Sequence, residues 1–115
     1  MPAMKEGDII LIPLPQADGR TKLRPALLLR EMPAFKDFLV CGISTKLHHR
    51  IEHFDEIIAK EDSDFKQSGL IQPSLVRLGF LAIVPLNHIA GSIGNISSRR
   101  YQQLLQNLSH YLTKK

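Results

Sequence analysis

The sequence predicts a mainly β domain that ends in one α-helix. From residue 9 to residue 84, short apolar runs are separated by glycine and proline, a pattern typical of short strands joined by tight turns. From residue 101 onward, apolar side chains recur instead at the three-and-four spacing of a helix. Many short strands closing on one packed helix favour a small twisted barrel over an open sheet.

Six strands account for the apolar runs. The predicted strands span residues 9–14, 26–30, 38–44, 54–59, 75–78 and 81–84. The second is the most distinctive, because Pro25 precedes a continuous apolar run that a buried strand favours. Residues 61–67 and 85–90 are predicted to form helices of one or two turns. No repeat, low-complexity tract or linker divides the chain, so a single domain is expected over residues 1–115.

The C-terminal helix is the clearest single element. Its apolar stripe, which is expected to pack against the sheet, consists of Tyr101, Leu104, Leu105, Leu108, Tyr111 and Leu112. Ser97 is the predicted N-cap, and Ile96 with Tyr101 fits a hydrophobic staple around it. We interpret both tyrosines as core or rim residues rather than as platforms for base stacking.

Composition limits the setting in which the chain is expected to act. No stretch approaches the ~20 apolar residues of a membrane-spanning helix, no charged-then-apolar leader precedes Gly7, and Cys41 is the single cysteine. These features predict a soluble cytoplasmic protein with no internal disulfide and no membrane partner. The net charge of +4, from 15 Lys and Arg against 11 Asp and Glu, mildly favours polyanionic partners.

Arg24 is the strongest candidate for a functional residue. The proline that follows favours extended geometry at Arg24, and the buried strand that comes next fixes its position. Its guanidinium cannot lose its charge, and it presents a planar fork of donors that matches phosphate oxygens. A phosphodiester is therefore the expected target of this side chain.

Several short motifs along nearly the whole chain resemble the MazF/PemK toxins of bacterial type II toxin–antitoxin systems. In the first part of the chain they are Gly7-Asp8-Ile9, Pro13-x-Pro15, Asp18-Gly19 and Arg24-Pro25-Ala26-Leu27-Leu28-Leu29. Further along they are Val40-Cys41-Gly42-Ile43-Ser44-Thr45, Ser68-Gly69-Leu70 and Pro73-Ser74-Leu75-Val76-Arg77. No single motif is decisive, but their order within a chain of this length makes the resemblance fairly specific.

The resemblance implies a fold, an activity and partners. MazF/PemK toxins adopt a small SH3-like, partly open β-barrel with a C-terminal helix, and they act as homodimers whose interface groove holds single-stranded RNA. They are endoribonucleases, or mRNA interferases, that need no metal or other cofactor. The ribose 2′-hydroxyl attacks the adjacent phosphorus, which leaves 2′,3′-cyclic phosphate and 5′-hydroxyl ends. A cognate antitoxin with an acidic, disordered tail competes with RNA for the cationic groove.

The resemblance also implies three catalytic residues. Arg24 matches the family's catalytic arginine, and its expected role is to stabilise charge in the transition state. Ser44 aligns with a hydroxyl residue at the end of the third strand, although a serine there more often bonds its own backbone. Arg77 matches a basic position that some members use in catalysis. An outward-facing strand residue with no functional role is an equally good interpretation.

The general base is left open by the sequence. Some family members carry an aspartate two residues after the position of Arg77, where this chain has Gly79. Asp18 is one substitute, although Asp-Gly is more commonly a turn pair. His48 or His49 is another, because an unperturbed imidazole titrates near neutral pH.

Two polar segments are expected to contact RNA. The first turn contributes Asp18, Arg20 and Lys22, and the segment after the third strand contributes Thr45, Lys46, His48 and His49. His49 and His53 are four residues apart, which suits zinc on a helix, but their segment is predicted to be a loop, so no metal site is expected. With no Trp and only two Tyr, few aromatic side chains are expected to stack on bases.

Two other functions remain open. A gyrase-targeting toxin of the CcdB type shares the barrel architecture, since fold does not fix function. Its action depends on C-terminal residues, whereas this chain ends in a plain Leu112-Thr113-Lys114-Lys115. A noncatalytic SH3-like module that binds nucleic acid stays open because this chain has Gly79 where some family members carry an aspartate. The presence of Arg24-Pro25 and Ser44 favours the nuclease.

Overall fold

The computed structural model describes residues 4–15 and 17–115, and in these ranges six strands form one curled antiparallel sheet. The strands are β1 (Asp8–Pro15), β2 (Thr21–Glu31), β3 (Asp37–Ser44), β4 (Glu56–Ile58), β5 (Ser74–Pro85) and β6 (Gly91–Asn95), and the helices are α1 (Phe65–Ser68) and α2 (Ser98–Thr113). The strand order is β4-β5-β3-β2-β1-β6. The predicted class, a partly open β-barrel with a C-terminal helix, is confirmed.

The two faces of the sheet carry separate apolar clusters, because side chains alternate between the faces along each strand. One cluster, which we call the helix-side cluster, contains Ile9 and Leu27 and is covered by Leu104 and Leu108 of α2. The other cluster contains Ile10, Ala26 and Leu28 and lies on the face that α2 does not cover. Residues 26–29 are all buried, which explains the unbroken apolar run that follows Pro25.

Helix α2 begins where the sequence predicts. Ser97 Oγ accepts the backbone N–H of Arg100 at 3.1 Å and so satisfies one of the free donors of the first turn. Ile96 and Tyr101 both pack into the helix-side cluster, as the predicted staple requires. The hydroxyl of Tyr101 donates to the Leu29 carbonyl at 2.6 Å, so this tyrosine ties the helix to β2.

The strand prediction is wrong in two places. Residues 75–78 and 81–84 belong to the single strand β5, because the sheet absorbs the intervening residues in a bulge rather than a turn. Cys41 of β3 pairs with Leu81 and the next residue, Gly42, pairs with Arg77, so residues 78–80 stand outside the register. Strand β6 was not predicted, since its sequence contains two glycines and an asparagine, which are uncommon in strands.

Several other elements differ from the prediction mainly in length. Strand β2 begins at Thr21 rather than at residue 26, because its pairing with β1 continues until Thr21 faces Pro15. Strand β4 keeps three of the predicted residues 54–59. The helix expected at 61–67 is α1, and that expected at 85–90 is one 3₁₀ turn, Leu86–His88. Within the two described ranges, no helix has the length and apolar content needed to cross a membrane.

Candidate active site

A cleft of about 400 Å³ opens where the ends of β1, β2, β3 and β5 meet. The predicted site residues in its lining are Arg24, Ser44, Thr45, Lys46, His49 and Arg77. All three residues that the family resemblance marks as catalytic are therefore neighbours in the fold, although 53 positions separate the first from the last.

The sheet register explains why these residues meet. Ala26 pairs with Gly42, and Gly42 pairs with Arg77 on its other side. Directly paired residues share a face of the sheet, and so do residues two positions apart on one strand. Arg24, two positions before Ala26, and Ser44, two positions after Gly42, therefore fall on the face that carries Arg77.

Ser44 makes the local bond expected of a serine at the end of a strand. Its Oγ accepts the backbone N–H of Lys46 at 3.0 Å, which closes the turn that follows β3. A hydroxyl that accepts through a lone pair keeps its own proton for donation. Ser44 is therefore both a turn-forming residue and a donor that lines the cleft.

The charged side chains in the described lining of the cleft are all positive. Among the described residues its lining includes Arg24, Lys46 and Arg77 and contains no Asp or Glu. Arg77 is half-buried in the middle of β5, and no acidic residue in ranges 4–15 and 17–115 forms an ion pair with it. Removing a cation from water without a partner is costly, so this arrangement favours an anionic ligand.

His49 is the histidine that the fold brings to the cleft. It ends the 3₁₀ turn Leu47–His49, and its ring meets that of His48 edge-on with centroids 4.4 Å apart. Partial desolvation and the neighbouring charges of His48, Lys46 and Arg77 lower the pKa of His49 from its ordinary value. The imidazole is therefore neutral and able to accept a proton at neutral pH.

A buried carboxylate holds the bulge that shapes one wall of the cleft. Asp55 is 4% exposed and accepts the backbone N–H groups of Leu78 and Ile51, each at 3.0 Å. Because Leu78 stands outside the β3–β5 register, Asp55 supplies the acceptor that its N–H requires. The bulge directs Arg77 at its start and Phe80 at its end into the same cleft.

Phe80 is the cleft residue that the sequence reasoning missed. It lies beside Gly42, and about half of its surface, 47%, is exposed. The only sequence signal was an aromatic residue after Gly79 within an apolar run. That signal has no meaning until the bulge is known, because regular alternation places Arg77 and Phe80 on opposite faces.

The cleft lining does not include four predicted RNA-binding residues: Asp18, Arg20, Lys22 and His48. Asp18 Oδ1 accepts the backbone N–H of Arg20 at 2.9 Å, which is the local bond of an Asp-Gly turn. Lys22 is exposed and pairs with Leu14, a cleft residue, so this hairpin lies beside the cleft. Gln16, in the same predicted turn, is outside the described residues. RNA contact by these four residues stays a prediction.

A second recess, of about 320 Å³, lies near the start of α2 and has a structural explanation. It is lined by Glu56, Asp62 and Asp64, and the guanidinium of Arg100 binds all three carboxylates. In the described part of the chain, no group of three or more His, Cys, Asp or Glu side chains is arranged to hold a metal ion. His53, whose spacing from His49 would suit zinc only on a helix, has a φ of 62° and lies in a turn.

Two solved structures share this architecture. The Mycobacterium tuberculosis toxin MazF-mt6 aligns with 94% of this chain and 98% of its own, with a TM-score of 0.68 and 22% sequence identity. A second structure, described as an Mtb toxin, aligns with 89% of this chain and 97% of its own, with a TM-score of 0.63 and 20% identity. At these identities the likeness establishes the fold alone. Among curated proteins, no sequence matches this chain.

The family comparison uses the sequence directly. The model for PemK-like, MazF-like toxins of type II toxin–antitoxin systems matches residues 5–112. This range contains all six strands and the whole cleft, so the motifs that suggested the resemblance fall within one continuous match. The chain therefore belongs to the PemK-like, MazF-like toxin family of type II toxin–antitoxin systems.

Proposed function

We propose that this chain is a metal-independent endoribonuclease that cuts single-stranded mRNA at specific sequences as the toxin of a type II pair. One observation carries the proposal: Arg24, Ser44 and Arg77 line a single cleft whose described lining holds no acidic side chain. A site with two guanidiniums and a hydroxyl donor matches the oxygens of a phosphodiester.

The proposed reaction is an internal transfer at phosphorus. The 2′-oxygen gives up its proton to a base and forms a bond to phosphorus, while the bond from phosphorus to the 5′-oxygen breaks. The 5′-oxygen leaves with the bonding electron pair and takes up a proton from the protonated base or from water, so 2′,3′-cyclic phosphate and 5′-hydroxyl ends result. Negative charge accumulates on the phosphoryl oxygens, and Arg24 and Arg77 stabilise it. Because their charge is permanent, this electrostatic role suits both arginines better than proton donation. Ser44 donates its free proton to a phosphoryl oxygen or to the attacking hydroxyl.

His49 is our candidate for the general base. Gly79 stands where some family members carry an aspartate, so the proton of the 2′-hydroxyl needs another acceptor. His49 lines the cleft with Arg77, and its lowered pKa keeps the imidazole neutral at pH 7. The other imidazole considered from the sequence, His48, is absent from the described lining of the cleft.

Two protein partners belong to the proposal. The first is an antitoxin whose acidic, disordered tail competes with RNA, and the positive cleft supports it by charge complementarity. The second is another copy of this chain. Leu81, Ile83 and Leu86 are 41%, 53% and 51% exposed on or directly after β5, and an apolar surface of this kind is typical of an interface.

The test is to incubate the purified chain with a long single-stranded RNA in EDTA and to map the fragment ends. Discrete fragments with cyclic-phosphate and 5′-hydroxyl ends are expected from the wild type, and none from Arg24→Ala. The matched control is Arg50→Ala, which removes an exposed arginine outside the described cleft lining and is expected to leave cleavage unchanged.

Three results would contradict the proposal. Fragments that persist with Arg24→Ala would identify a contaminating nuclease or a different site. RNA that is bound but left intact across varied sequences would favour the noncatalytic module, in which Arg24→Ala weakens only affinity and its salt dependence. Intact RNA without binding would favour a protein target such as gyrase. Circular dichroism of each variant separates loss of activity from loss of fold.

A further inference from the structure

We propose that Phe80 is the platform on which one base of the bound RNA stacks, beside the phosphate held by the arginines. This inference rests on the proposed RNA-cleaving function and names a residue that contributes to substrate binding. The sequence offers no Trp, and Tyr101 is used to tie α2 to β2. Within the described cleft lining, the aromatic rings are those of Phe80 and the imidazole of His49.

Phe80 and Arg77 lie around the same residue of β3. Arg77 pairs with Gly42 across the sheet, and Phe80 lies against the same glycine. A guanidinium and an aromatic ring therefore flank one residue of β3 and face one cleft. A nucleotide presents the matching pair of groups, a phosphate and a flat base.

The ring is held in place before any ligand binds. A Cβ on Gly42 would lie only 3.0 Å from Phe80 Cδ1 and 3.3 Å from Cγ, so the absence of a side chain there lets the ring approach the strand. The backbone before it is fixed by the bond from Leu78 N–H to Asp55. A ring that is already ordered loses little conformational entropy when a base stacks on it.

The exposure of Phe80 also has a cost that a base would remove. At 47% exposed, the side chain presents apolar surface to water inside a cleft whose described lining also carries Arg24, Lys46 and Arg77. Stacking a base covers that surface, and it tolerates any base because every base has a flat face. Phe80 is therefore expected to raise affinity for single-stranded RNA without selecting the sequence.

The experiment measures RNA affinity and removes one partner at a time. The protein variants are Phe80→Leu, Phe80→Tyr and the control Phe35→Leu, which alters an 85% exposed phenylalanine outside the described cleft lining. The RNA is a short single strand and a set in which each nucleotide in turn lacks its base. If the wild type cuts the strand, the mapped nucleotide carries 2′-deoxyribose so that only binding is measured.

Stacking of one base is worth about 5- to 150-fold in affinity, so Phe80→Leu is expected to weaken binding at least about 5-fold. Phe80→Tyr and Phe35→Leu are expected to bind like the wild type. One abasic position should weaken wild-type binding by the same factor and have no further effect in Phe80→Leu. Equal affinity of Phe80→Leu and the wild type, or losses that multiply at every abasic position, would overturn the stacking role.

Two further readings separate this inference from its alternatives. Sedimentation of each variant without RNA tests whether Phe80 is instead part of a protein interface, and a changed oligomeric state in Phe80→Leu would overturn the proposal. A wild type that binds RNA without cutting it would refute the nuclease but leave the stacking result readable. A wild type that binds no RNA would refute both.

Discussion

Replacing Arg100 with methionine tests whether the network at the start of α2 determines stability rather than activity. The guanidinium donates to Asp64 Oδ2 at 2.8 Å and Oδ1 at 3.1 Å, to Glu56 at 3.0 Å, to Asp62 at 2.9 Å and to the Ile57 carbonyl at 3.0 Å. One side chain thereby joins α2 to β4 and to the turn before α1. Methionine keeps much of the aliphatic packing and removes only the charge and the donors.

The expected magnitude follows from the burial of the acidic partners. The side chain of Asp64 is 2% exposed, whereas those of Glu56 and Asp62 are 24% and 34% exposed and can turn toward water. Leaving a buried charge without its partner costs about 3–5 kcal/mol. For a domain of this size, each kcal/mol lost from the free energy of unfolding lowers the melting temperature by roughly 4 °C. The melting temperature of Arg100→Met should therefore fall by roughly 12–20 °C.

Urea unfolding at pH 7 and at pH 4 measures this effect and checks its cause. Burial raises the pKa of Asp64, but hydrogen bonds from Arg100 and from the Ser97 N–H outweigh it and hold that pKa below its ordinary value. The stability from this depressed pKa is present above about 3.9, the unfolded value, and is lost as pH falls through the folded value. Arg100→Met keeps the bond from the Ser97 N–H but removes the charge and the hydrogen bonds of Arg100, so burial weighs more and the pKa of Asp64 rises. Asp64 then takes up a proton more readily, and the deficit should shrink at pH 4.

The neighbouring exposed residue Arg99 provides the matched control. Arg99→Met changes the same kind of side chain one position away and is expected to alter stability by at most about 0.5 kcal/mol. The folded Arg100→Met protein should retain RNA cleavage, because Arg100 lies outside the described cleft lining. A loss below about 1 kcal/mol, or a deficit that grows at pH 4, would refute the assignment of the cost to an unpaired Asp64.

Four other predictions follow from the cleft and the core. Arg77→Gln should reduce the slope of log affinity for RNA against log salt by about 0.7, with Arg50→Gln as the control outside the cleft. In wild type the cleavage rate should rise with pH along a limb centred below about 6.5, because protonation removes His49 as a base, and His49→Asn should abolish that limb. Gly79→Asp, introduced into the wild type or into His49→Asn, should not raise the initial rate of cleavage. Burial, followed by the nearby charge of Asp55, raises the pKa of Cys41 to about 12, so iodoacetamide at pH 8 should label that thiol only after unfolding, as mass spectrometry would show.

Local patterns predicted the elements in which local and tertiary preferences agree. Helix α2 was predicted with its cap because the apolar stripe and Ser97 both lie within one short segment. Strand β3 was predicted to within one residue because both its faces are apolar. Strand β6 was not predicted, because its glycines have no side chains and so show no alternation of apolar and polar residues. Its Gly94 is required by tertiary contact, since a Cβ there would collide with the Gln67 carbonyl oxygen.

The cleft was predicted only as far as family motifs and strand alternation reach. Arg24, Ser44 and Arg77 came from motifs, and regular pairing is enough to bring them to one face. His49 was one of two imidazoles that the sequence left equivalent, and the turn after β3 distinguishes them by bringing only His49 into the described lining. Phe80 depended on a bulge whose stabilising partner, Asp55, lies 25 positions away in the chain.

The same bulge bears on the proposed mechanism, because it determines where a side chain at position 79 would point. In an unbroken strand, residue 79 would share the cleft face with Arg77, which is the geometry that an aspartate two positions later requires. Here a Cβ on Gly79 would lie 3.9 Å from Phe54 Cε2, and Phe54 packs against the helix-side cluster. A carboxylate at this position would therefore point away from the cleft, toward an apolar groove that Phe54, Leu78 and Leu108 line beside α2. The residue that the bulge turns toward the cleft is Phe80, which is why the proposed mechanism takes its proton acceptor from the turn that carries His49.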